Sequence, residues 1–420
     1  MRYEPLNVGR WVIWSAMALV FIVAPLVFRG GFALTMLIQM GTLIIFALSY
    51  NMLLGQGGML SFGHAVYSGL GAYLSVHALN LIGKGAFPFP ITLLPLIGGL
   101  SGMAFGILFG YVTTRRAGTT FALISLGVGE MVFAAVLMFP GFFGGEAGVS
   151  TNRVVGQPFL GITYGPAIQV YYLVAVWCFL SIVAMFALTQ TPLGRMANAV
   201  RDNPERAEFV GYDTQKVRWF TLIISAFFAG ISGALACINF EIVTAENVSA
   251  ARSGSVLLAA FIGGVGFFFG PIIGACLFVY FFAALSDHTK AWLLYLGLFF
   301  LMMVIFAPGG IASLIMMQLP VIAKKRFKRL VPAYCAAGAA GLLVLAALVL
   351  TIEMTYKVSV DSATGTAMKL FGIEFDAATA GPWIVAAALW IVGGWLFNTA
   401  RKRVTSTWGE IQAELAESRA

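Results

Sequence analysis

The chain has 420 residues, of which 60% are hydrophobic and only 10% are charged, and its mean hydropathy is +0.92. Charged residues make up about 25% of an ordinary soluble protein, so this composition excludes one and indicates that the bilayer is the solvent. Although 25 Lys and Arg outnumber 17 Asp and Glu, the basic residues lie in short clusters between apolar runs. Such clusters are typical of cytoplasmic loops, and no nucleic-acid partner is expected.

Apolar stretches of about 20 residues predict membrane-spanning helices and hence an all-α polytopic membrane protein. In chain order, the candidate spans lie at 11–28, 33–54, 60–82, 90–113, 119–139, 167–189, 217–240, 256–286, 291–317, 330–352 and 381–399. The first is expected to be a retained helix, because no small-residue cleavage pattern follows it. The segment 256–286 is too long for one simple helix, and its glycines and Pro271 predict a broken or re-entrant pair. The prediction is therefore about 11–12 hydrophobic segments.

The distribution of Lys and Arg predicts the orientation, because cytoplasmic loops are enriched in both. With the N-terminus inside, residues 115–116 and the loop 190–218 also fall inside. The strongest basic cluster, at 324–329, falls inside only if 256–286 contributes two crossings with a break near residue 270. Both termini are then predicted to be cytoplasmic.

Three regions follow from these segments. Residues 1–32 are expected to form an N-terminal transmembrane helix, residues 33–320 a core with a cytoplasmic loop at 190–216, and residues 321–420 a C-terminal extension with two further transmembrane helices and a cytoplasmic tail. The Gly-rich segment 140–166 falls outside, between two spans, and is expected to form an external cap or a contact for a binding protein.

Glycines and polar residues interrupt the hydrophobic sequence between Ser49 and Ala65. Irregular backbone at membrane depth persists only where it is buried in protein or lines water. Small residues also let helices approach closely, so the glycines fit mere packing equally well. Gln56, Ser61 and His64 are harder to assign to packing alone, because each carries hydrogen-bonding groups that lipid cannot satisfy. His64 also fits a hydrogen-bonded structural histidine.

A second interruption, around Gly263, Gly264 and Gly270, has the same character. Paired interruptions in the two halves of a transporter indicate a translocation site. Glu130 is a carboxylate in the middle of an apolar span, which marks either a functional group or a hydrogen-bonded acid that fixes helix packing. The candidates for the substrate pathway are Gln56, Ser61, His64, Glu130, Gly263, Gly264 and Gly270.

The cytoplasmic loop carries the most specific pattern. Apolar residues recur at helical spacing along one side of the segment 192–202, and polar residues lie on the other side. Such a helix needs a partner surface or the membrane interface to bury its apolar stripe. A second short helix is predicted to begin at Pro204, with Asn203 as its cap and Gly211 at its end. A helix pair of this kind suits docking to a motor subunit. The coupling candidates are Leu193, Gly194, Arg195, Met196, Val200, Glu205, Arg206 and Gly211.

Several chemistries lack the residues that would carry them. No G-x-x-x-x-G-K-[ST] motif occurs to hold ATP phosphates. The four cysteines and three histidines have no disulfide or metal-ligand spacing. We therefore expect no catalytic group, no metal site and no cofactor in this chain, which would not be an enzyme.

Five blocks of the sequence, taken in order, resemble the LivM-type permeases of branched-chain amino acid ABC importers. The blocks are residues 51–65 with 69–73, 127–130, 194–211, 225–235, and 262–266 with 270–275. The resemblance implies a bacterial inner-membrane protein that works with two cytosolic ATP-binding subunits, a second, LivH-type permease and a periplasmic substrate-binding protein. It also implies that ATP is hydrolysed in the partner chains, which dock on the loop 193–211.

The resemblance leaves the substrate open among branched-chain or other amino acids, urea, short amides and organic acids. The main alternative is a stand-alone secondary transporter or channel that uses Glu130 and His64 for coupling. A non-transporting scaffold would explain the small-residue packing but gives Gln56 and Ser61 no purpose. The extension after residue 320 departs from the family pattern, and the sequence indicates no role for it.

Overall fold

The computed structural model describes residues 8–156, 161–323, 326–360, 365–370 and 372–417. Lys324 and Lys325 of the predicted basic cluster at 324–329, and Arg2 near the N-terminus, therefore lie outside the described residues. The chain divides into two compact units. One comprises residues 1–285 and 299–313, and the other comprises residues 286–298 and 314–420.

The first twelve helices make up most of the first unit. They are α1 (Val8–Val27), α2 (Gly31–Asn51), α3 (Ala65–Gly83), α4 (Leu94–Thr113), α5 (Gly118–Met138), α6 (Pro140–Phe143), α7 (Ala167–Gln190), α8 (Pro192–Asp202), α9 (Pro204–Phe209), α10 (Thr214–Phe240), α11 (Ala250–Gly263) and α12 (Gly270–His288). A π-helical turn, Met52–Gln56, extends α2, and 3-10 turns lie at Ile91–Leu93 and Ala245–Val248. The strands β1 (Val149–Ser150) and β2 (Ile242–Val243) pair antiparallel.

α10 is the central helix of the first unit, where it packs against α2, α3 and α4. Without a strong hydrophobic force between helices in lipid, close packing and interhelical hydrogen bonds drive association. A Cβ atom at Gly230 of α10 would overlap the carbonyl of Gly98 of α4, so only glycine permits this crossing. The Ser225 hydroxyl donates a hydrogen bond of 2.6 Å to the Ser49 carbonyl and joins α10 to α2.

Nine helices among the described residues are long and apolar enough to cross a membrane. Two shorter apolar helices, Trp11–Val27 and Ala250–Gly263, and one bent pair, Trp292–Phe306 with Gly310–Ile322, complete the hydrophobic segments of the described residues. The prediction of an all-α polytopic membrane protein is confirmed. The segment 256–286 is divided as expected, because residues 264–269 separate α11 from α12.

The prediction that 291–317 is an ordinary, unbroken helix is wrong. The chain forms α13 (Trp292–Phe306) and α14 (Gly310–Ala323), which are bent by 45° relative to each other. Pro308 cannot donate a helical hydrogen bond. Gly310 has a φ of +70°, and a Cβ atom there would overlap the backbone of Gly264. Backbone chemistry therefore breaks a segment whose hydropathy is continuous.

The second unit is built on two long helices that pack along each other, α15 (Phe327–Ser359) and α16 (Ala380–Glu417). Between them, β3 (Ala367–Leu370) and β4 (Ile373–Asp376) form an antiparallel hairpin. α16 has 38 residues, about 57 Å of helix, so it contains the predicted span 381–399 and extends well past a bilayer core of about 30 Å. Its C-terminal part packs through Ile411 against Val321 and Leu330.

Candidate translocation site and coupling element

The first interruption lies between α2 and α3. α2 ends in the π-helical turn, and α3 begins only at Ala65, later than the predicted start at residue 60. Residues 57–64 form no regular helix, and Ser61 and His64 are both buried. The amides of residues 57–59 donate to the carbonyls of Leu53 and Leu54, but the amides of Phe62 and Ala65 lie beyond that turn and need hydrogen bonds from side chains.

Two hydroxyls from other helices supply those bonds. Ser125 Oγ of α5 accepts a hydrogen bond of 3.0 Å from the Phe62 backbone N–H, and Ser253 Oγ of α11 accepts one of 3.0 Å from Ala65. A Cβ atom at Gly63 would overlap the Ser125 carbonyl, so the segment lies directly on α5. We call this meeting of Phe62, Gly63 and Ala65 with α5 and α11 the junction.

His64 is packed and hydrogen-bonded, as the structural alternative predicts. Its Nε2 lies 3.0 Å from Ser49 Oγ, and the same hydroxyl donates a bond of 2.7 Å to the Phe46 carbonyl. Because a hydroxyl has one proton, Ser49 must accept from His64, whose Nε2 carries the hydrogen. The ring stacks on Phe46 at a centroid distance of 5.5 Å. Nδ1 has no hydrogen-bond partner among the described residues.

Glu130 lies on α5 beside the junction. Its neighbour Gly129 packs so closely on Gly63 that a Cβ atom at Gly129 would lie 3.4 Å from the Cα atom of Gly63. Glu130 itself is exposed, on a face of α5 that also carries Gly127 and Leu123. An isolated carboxylate is costly in lipid. The exposed face of α5 is therefore better suited to a water-filled path or a partner subunit than to acyl chains.

The glycines of the second interruption serve close backbone packing. A Cβ atom at Gly263 would overlap the carbonyl of Gly270, which holds α11 against α12. Gly264 has a φ of +110° and lies against the carbonyl of Gly309. These positions require glycine on steric grounds, so the packing alternative accounts for Gly263, Gly264 and Gly270 without a side-chain role.

The two interruptions meet at Gly55. A Cβ atom at Gly55 would lie 2.6 Å from the Val265 carbonyl oxygen. The Gly55 carbonyl accepts a hydrogen bond from Arg201 Nη1 of α8, and Gln56 Oε1 accepts one of 2.9 Å from Asn198 Nδ2. Gln56, a predicted pathway residue, is therefore bonded to the loop helix. Asn198 and Arg201 were missed as functional residues because the sequence shows only that their side of α8 is polar, and not what it contacts.

α8 and α9 form the predicted helix pair. Asn203 Oδ1 caps α9 by accepting a bond of 2.9 Å from Arg206 N. Thr191 Oγ1 caps α8 through Gly194 N at 3.3 Å. Gly211, just after α9, has a φ of +94°, a backbone conformation that residues with a side chain rarely adopt. The predicted start at Pro204 with Asn203 as its cap is confirmed.

The chain itself covers the apolar stripe of α8, so the prediction that the stripe needs a partner or the membrane interface is wrong. Val200 is buried against Ala207 of α9 and Val217 of α10, and Leu193 and Met196 pack around them. The stripe can be covered because α9 folds back along α8 and α10 begins directly after the loop. The coupling candidates that stay exposed are Arg195, Glu205, Arg206 and Gly211.

The exposed apolar surface of the helix pair lies instead at the end of α9. Phe209 is 90% exposed and Val210 is 71% exposed. An open cavity of about 320 Å³ lies beside them and is lined in part by Met196, Arg206 and Tyr212. Large exposed apolar side chains beside a cavity are typical of protein interaction sites. The apolar run 209–210 after a polar helix is the sequence signal that could have identified this tip.

A loop organised by Arg153 lies at the opposite end of α10 from the helix pair, next to β1 and β2. Arg153 Nε donates a bond of 2.9 Å to the Tyr164 carbonyl, and its backbone N–H donates one of 2.8 Å to Glu241 Oε1. The described part of the predicted external cap is therefore tied to the end of α10.

These features define a class of protein, a polytopic membrane permease whose bundle contains two interruptions that meet, the first of which is bonded to a surface helix pair. Within that class, the chain belongs to the family described as the permease component of the branched-chain amino acid transport system, whose model matches residues 32–308. The resemblance seen in the sequence blocks is thereby confirmed. The match ends before α14, so the second unit lies largely beyond it.

Individual relatives agree with the family match. The high-affinity branched-chain amino acid transport system permease protein LivM of Escherichia coli (strain K12) is 30% identical over 297 residues, which are 66% of this chain and 69% of the relative. LivH of Salmonella typhimurium is 24% identical over 56% of this chain and 78% of its own length. BraD of Pseudomonas aeruginosa is 22% identical over 56% of this chain and 79% of its own length. No solved structure matches the chain.

Proposed function

We propose that this chain is one of two membrane-spanning subunits of a binding-protein-dependent ABC importer for branched-chain or related amino acids. Its relatives are named permeases of branched-chain amino acid transport. Its partners are two cytosolic ATP-binding subunits, a second, LivH-type permease and a periplasmic substrate-binding protein. The chain spans the inner membrane of a bacterium with both termini in the cytoplasm, and lipid surrounds it.

The observation that carries this proposal is the direct bonding of the helix pair α8–α9 to the first interruption. The ATP-binding subunits dock on the tip at Phe209 and Val210 and on the exposed charges of Arg195 and Glu205. When ATP brings these subunits together, α8 moves with them. Asn198 then carries the displacement to the unwound segment through its bond to Gln56, which opens or closes the path.

The substrate path runs along the exposed face of α5 and the junction, between this chain and the second permease. Glu130 is the polar group of this face, and Ser61 lies in the adjoining segment. Substrate selection belongs mainly to the external binding protein, so the path itself binds weakly. A face of small and apolar residues around one carboxylate fits that requirement.

The secondary-transporter alternative is less well supported by the contacts of His64. A proton relay needs titratable groups in hydrogen-bonded reach of one another. The bonded neighbour of His64 is Ser49, whose hydroxyl donates its hydrogen bond to a backbone carbonyl and not to another titratable group. Urea, short amides and organic acids remain alternative substrates within the same family, and the uptake experiment below separates them.

The test is co-expression of the chain with the four partner proteins, purification in mild detergent and uptake of labelled leucine into proteoliposomes that contain ATP. Val210→Ser removes an exposed apolar side chain from the tip. Val154→Ser is the matched control, because Val154 is also exposed, at 52%, and lies at the other end of α10. We expect Val210→Ser to lose most of the bound ATP-binding subunits and most uptake, and Val154→Ser to retain the ATP-binding subunits.

ATP-dependent uptake that saturates with leucine and not with urea or acetamide supports the proposal. Uptake that needs an ion gradient and no ATP-binding subunit would overturn it and restore the secondary-transporter alternative. Equal retention of the ATP-binding subunits by the two valine variants would leave the importer intact but remove the tip from the docking surface.

A further inference from the structure

Arg252 is a cation without an anionic partner among the described residues. It lies in the first turn of α11, is half-buried, and places its Cζ 5.8 Å from the centroid of the Phe46 ring. Among the described residues, its guanidinium forms no ion pair and donates no hydrogen bond. By contrast, Arg29, Arg153 and Arg201 of the same unit each donate to a backbone carbonyl. Arg252 therefore keeps all five of its N–H donors available.

The surroundings of Arg252 favour an anion. The Ser249 hydroxyl caps α11 by accepting a bond from the Arg252 backbone N–H, while the amides of Ala250 and Ala251 have no hydrogen-bond partner among the described residues. Free amides at the start of a helix attract negative charge, and a guanidinium beside them strengthens the attraction. Withdrawing such a cation from water without an anion is costly. A ligand that brings an anion from outside accounts for an arginine at this position.

A group of opposite charge flanks the same junction. Ser253, the residue after Arg252, holds the backbone of Ala65 at 3.0 Å. Gly129, the residue before Glu130, packs on Gly63. Arg252 and Glu130 thus lie on two different helices that both touch the short segment from Gly63 to Ala65. Neither charge has an ion-pair partner in the described part of the chain.

We infer that Arg252 binds the carboxylate, and Glu130 the ammonium group, of a free α-amino acid on its way through the permease. This assignment rests on the proposed importer function and specifies its substrate class as a zwitterion, which excludes urea and short amides. A guanidinium can hold a carboxylate with two parallel hydrogen bonds. A neutral amide offers neither the charge nor the second acceptor.

The experiment uses the complex of both permeases and both ATP-binding subunits, without the binding protein, so that binding to the permease is measured alone. Its thermal unfolding midpoint is followed against the concentration of leucine, of leucinamide, which has no carboxylate, and of 4-methylpentanoate, which has no ammonium group. Arg252→Gln, Arg252→Lys and Glu130→Gln are compared with the wild type. Arg115→Gln is the matched control, because Arg115 also lies over an aromatic ring, Tyr111, at 4.7 Å.

In the wild type and in Arg115→Gln, we expect leucine to stabilise the complex at much lower concentration than either analogue. Arg252→Gln should raise the half-maximal leucine concentration by about tenfold and remove the preference for leucine over leucinamide. Arg252→Lys should restore part of that preference. Glu130→Gln should instead remove the preference over 4-methylpentanoate. A purely structural role for either residue would not produce this crossed pattern.

Wild-type leucine binding in Arg252→Gln, with preference over leucinamide intact, would overturn the assignment and leave the importer function standing. Loss of the second permease from the purified Arg252→Gln complex would also overturn it, because the carboxylate would then come from the partner subunit. Failure of the wild-type complex to take up leucine would instead refute the proposed function itself.

Discussion

Asn198 Nδ2 donates a hydrogen bond of 2.9 Å to Gln56 Oε1, which joins the surface helix α8 to the unwound end of α2 across 142 positions of the chain. The neighbouring bond from Arg201 to the Gly55 carbonyl runs between the same two elements. Gly55 in turn lies against Val265 of the second interruption. A movement of α8 therefore reaches both interruptions through direct contacts.

Breaking the bond between Asn198 and Gln56 should uncouple ATP hydrolysis from transport. A neutral hydrogen bond contributes about 0.5–1.5 kcal/mol, so Asn198→Ala and Gln56→Ala should each lower the leucine transported per ATP by about 2- to 13-fold. The double variant should lose no more than either single variant, because the same bond is removed in all three. Transport and hydrolysis are measured together in proteoliposomes. Fully additive losses would show that the two residues act separately.

The central crossing of α10 and α4 should be intolerant of a single methyl group. A Cβ atom at Gly230 would overlap the Gly98 carbonyl, whereas Gly254 of α11 has no atom within 4 Å of its Cβ position. Overpacking costs about 1–3 kcal/mol, so Gly230→Ala should lower the unfolding midpoint of the purified permease measurably. Gly254→Ala, the control, should leave it unchanged or raise it slightly, since alanine favours helix. Equal midpoints for the two variants would refute the crossing.

The hydrophobic segments were predictable because length and hydropathy alone determine which stretches can cross a bilayer. The helix pair was predictable because its cap at Asn203 and its end at Gly211 are local signals. The break at Pro308 was missed because the hydropathy does not change there. The sequence nevertheless has a proline followed by two glycines at this point.

The errors at the candidate site have a different cause. The side of α8 that carries Asn198 is polar, and a polar side can face either water or an unwound backbone with unpaired carbonyls. The apolar side was expected to need an outside surface, but α9 and α10 cover it. The polar side meets a residue 142 positions away, as Asn198 meets Gln56. The apolar side is covered by the next two helices of the chain. Neither contact follows from the residue pattern of α8 itself.

His64 should be replaceable by an aromatic residue that cannot titrate. Phe46 stacks on its ring, and Ser49 keeps its bond to the Phe46 carbonyl when His64 is absent. Removing one partner of a hydrogen bond is tolerated when the remaining group keeps another bond, as the Ser49 hydroxyl does here. His64→Phe should therefore keep ATP-driven leucine uptake within about threefold of the wild type. Uptake between pH 6 and pH 8 should have the same profile in both proteins. Abolished uptake in a variant that still assembles would return His64 to a coupling role.

The first turn of α10 should loosen in acid because of Asp213. Its carboxylate accepts a hydrogen bond of 3.0 Å from the Lys216 backbone N–H and also contacts the Lys216 ammonium, and these bonds hold the pKa of Asp213 below its usual value. A lowered pKa means that this stabilisation is fully present above the unfolded pKa of about 3.9 and is lost as pH falls through the folded value. Hydrogen exchange of residues 214–218 measures it locally.

Asp213→Ala should weaken protection of those amides at pH 7 by about 1 kcal/mol, the usual contribution of a helix cap. Asp213→Asn keeps a capping oxygen but cannot titrate, so its protection should fall less and should not change between pH 5 and pH 3. The wild type should lose protection over that interval after correction for intrinsic exchange. If the wild type and Asp213→Asn responded to acid identically, the acid sensitivity of this turn would have to come from another group.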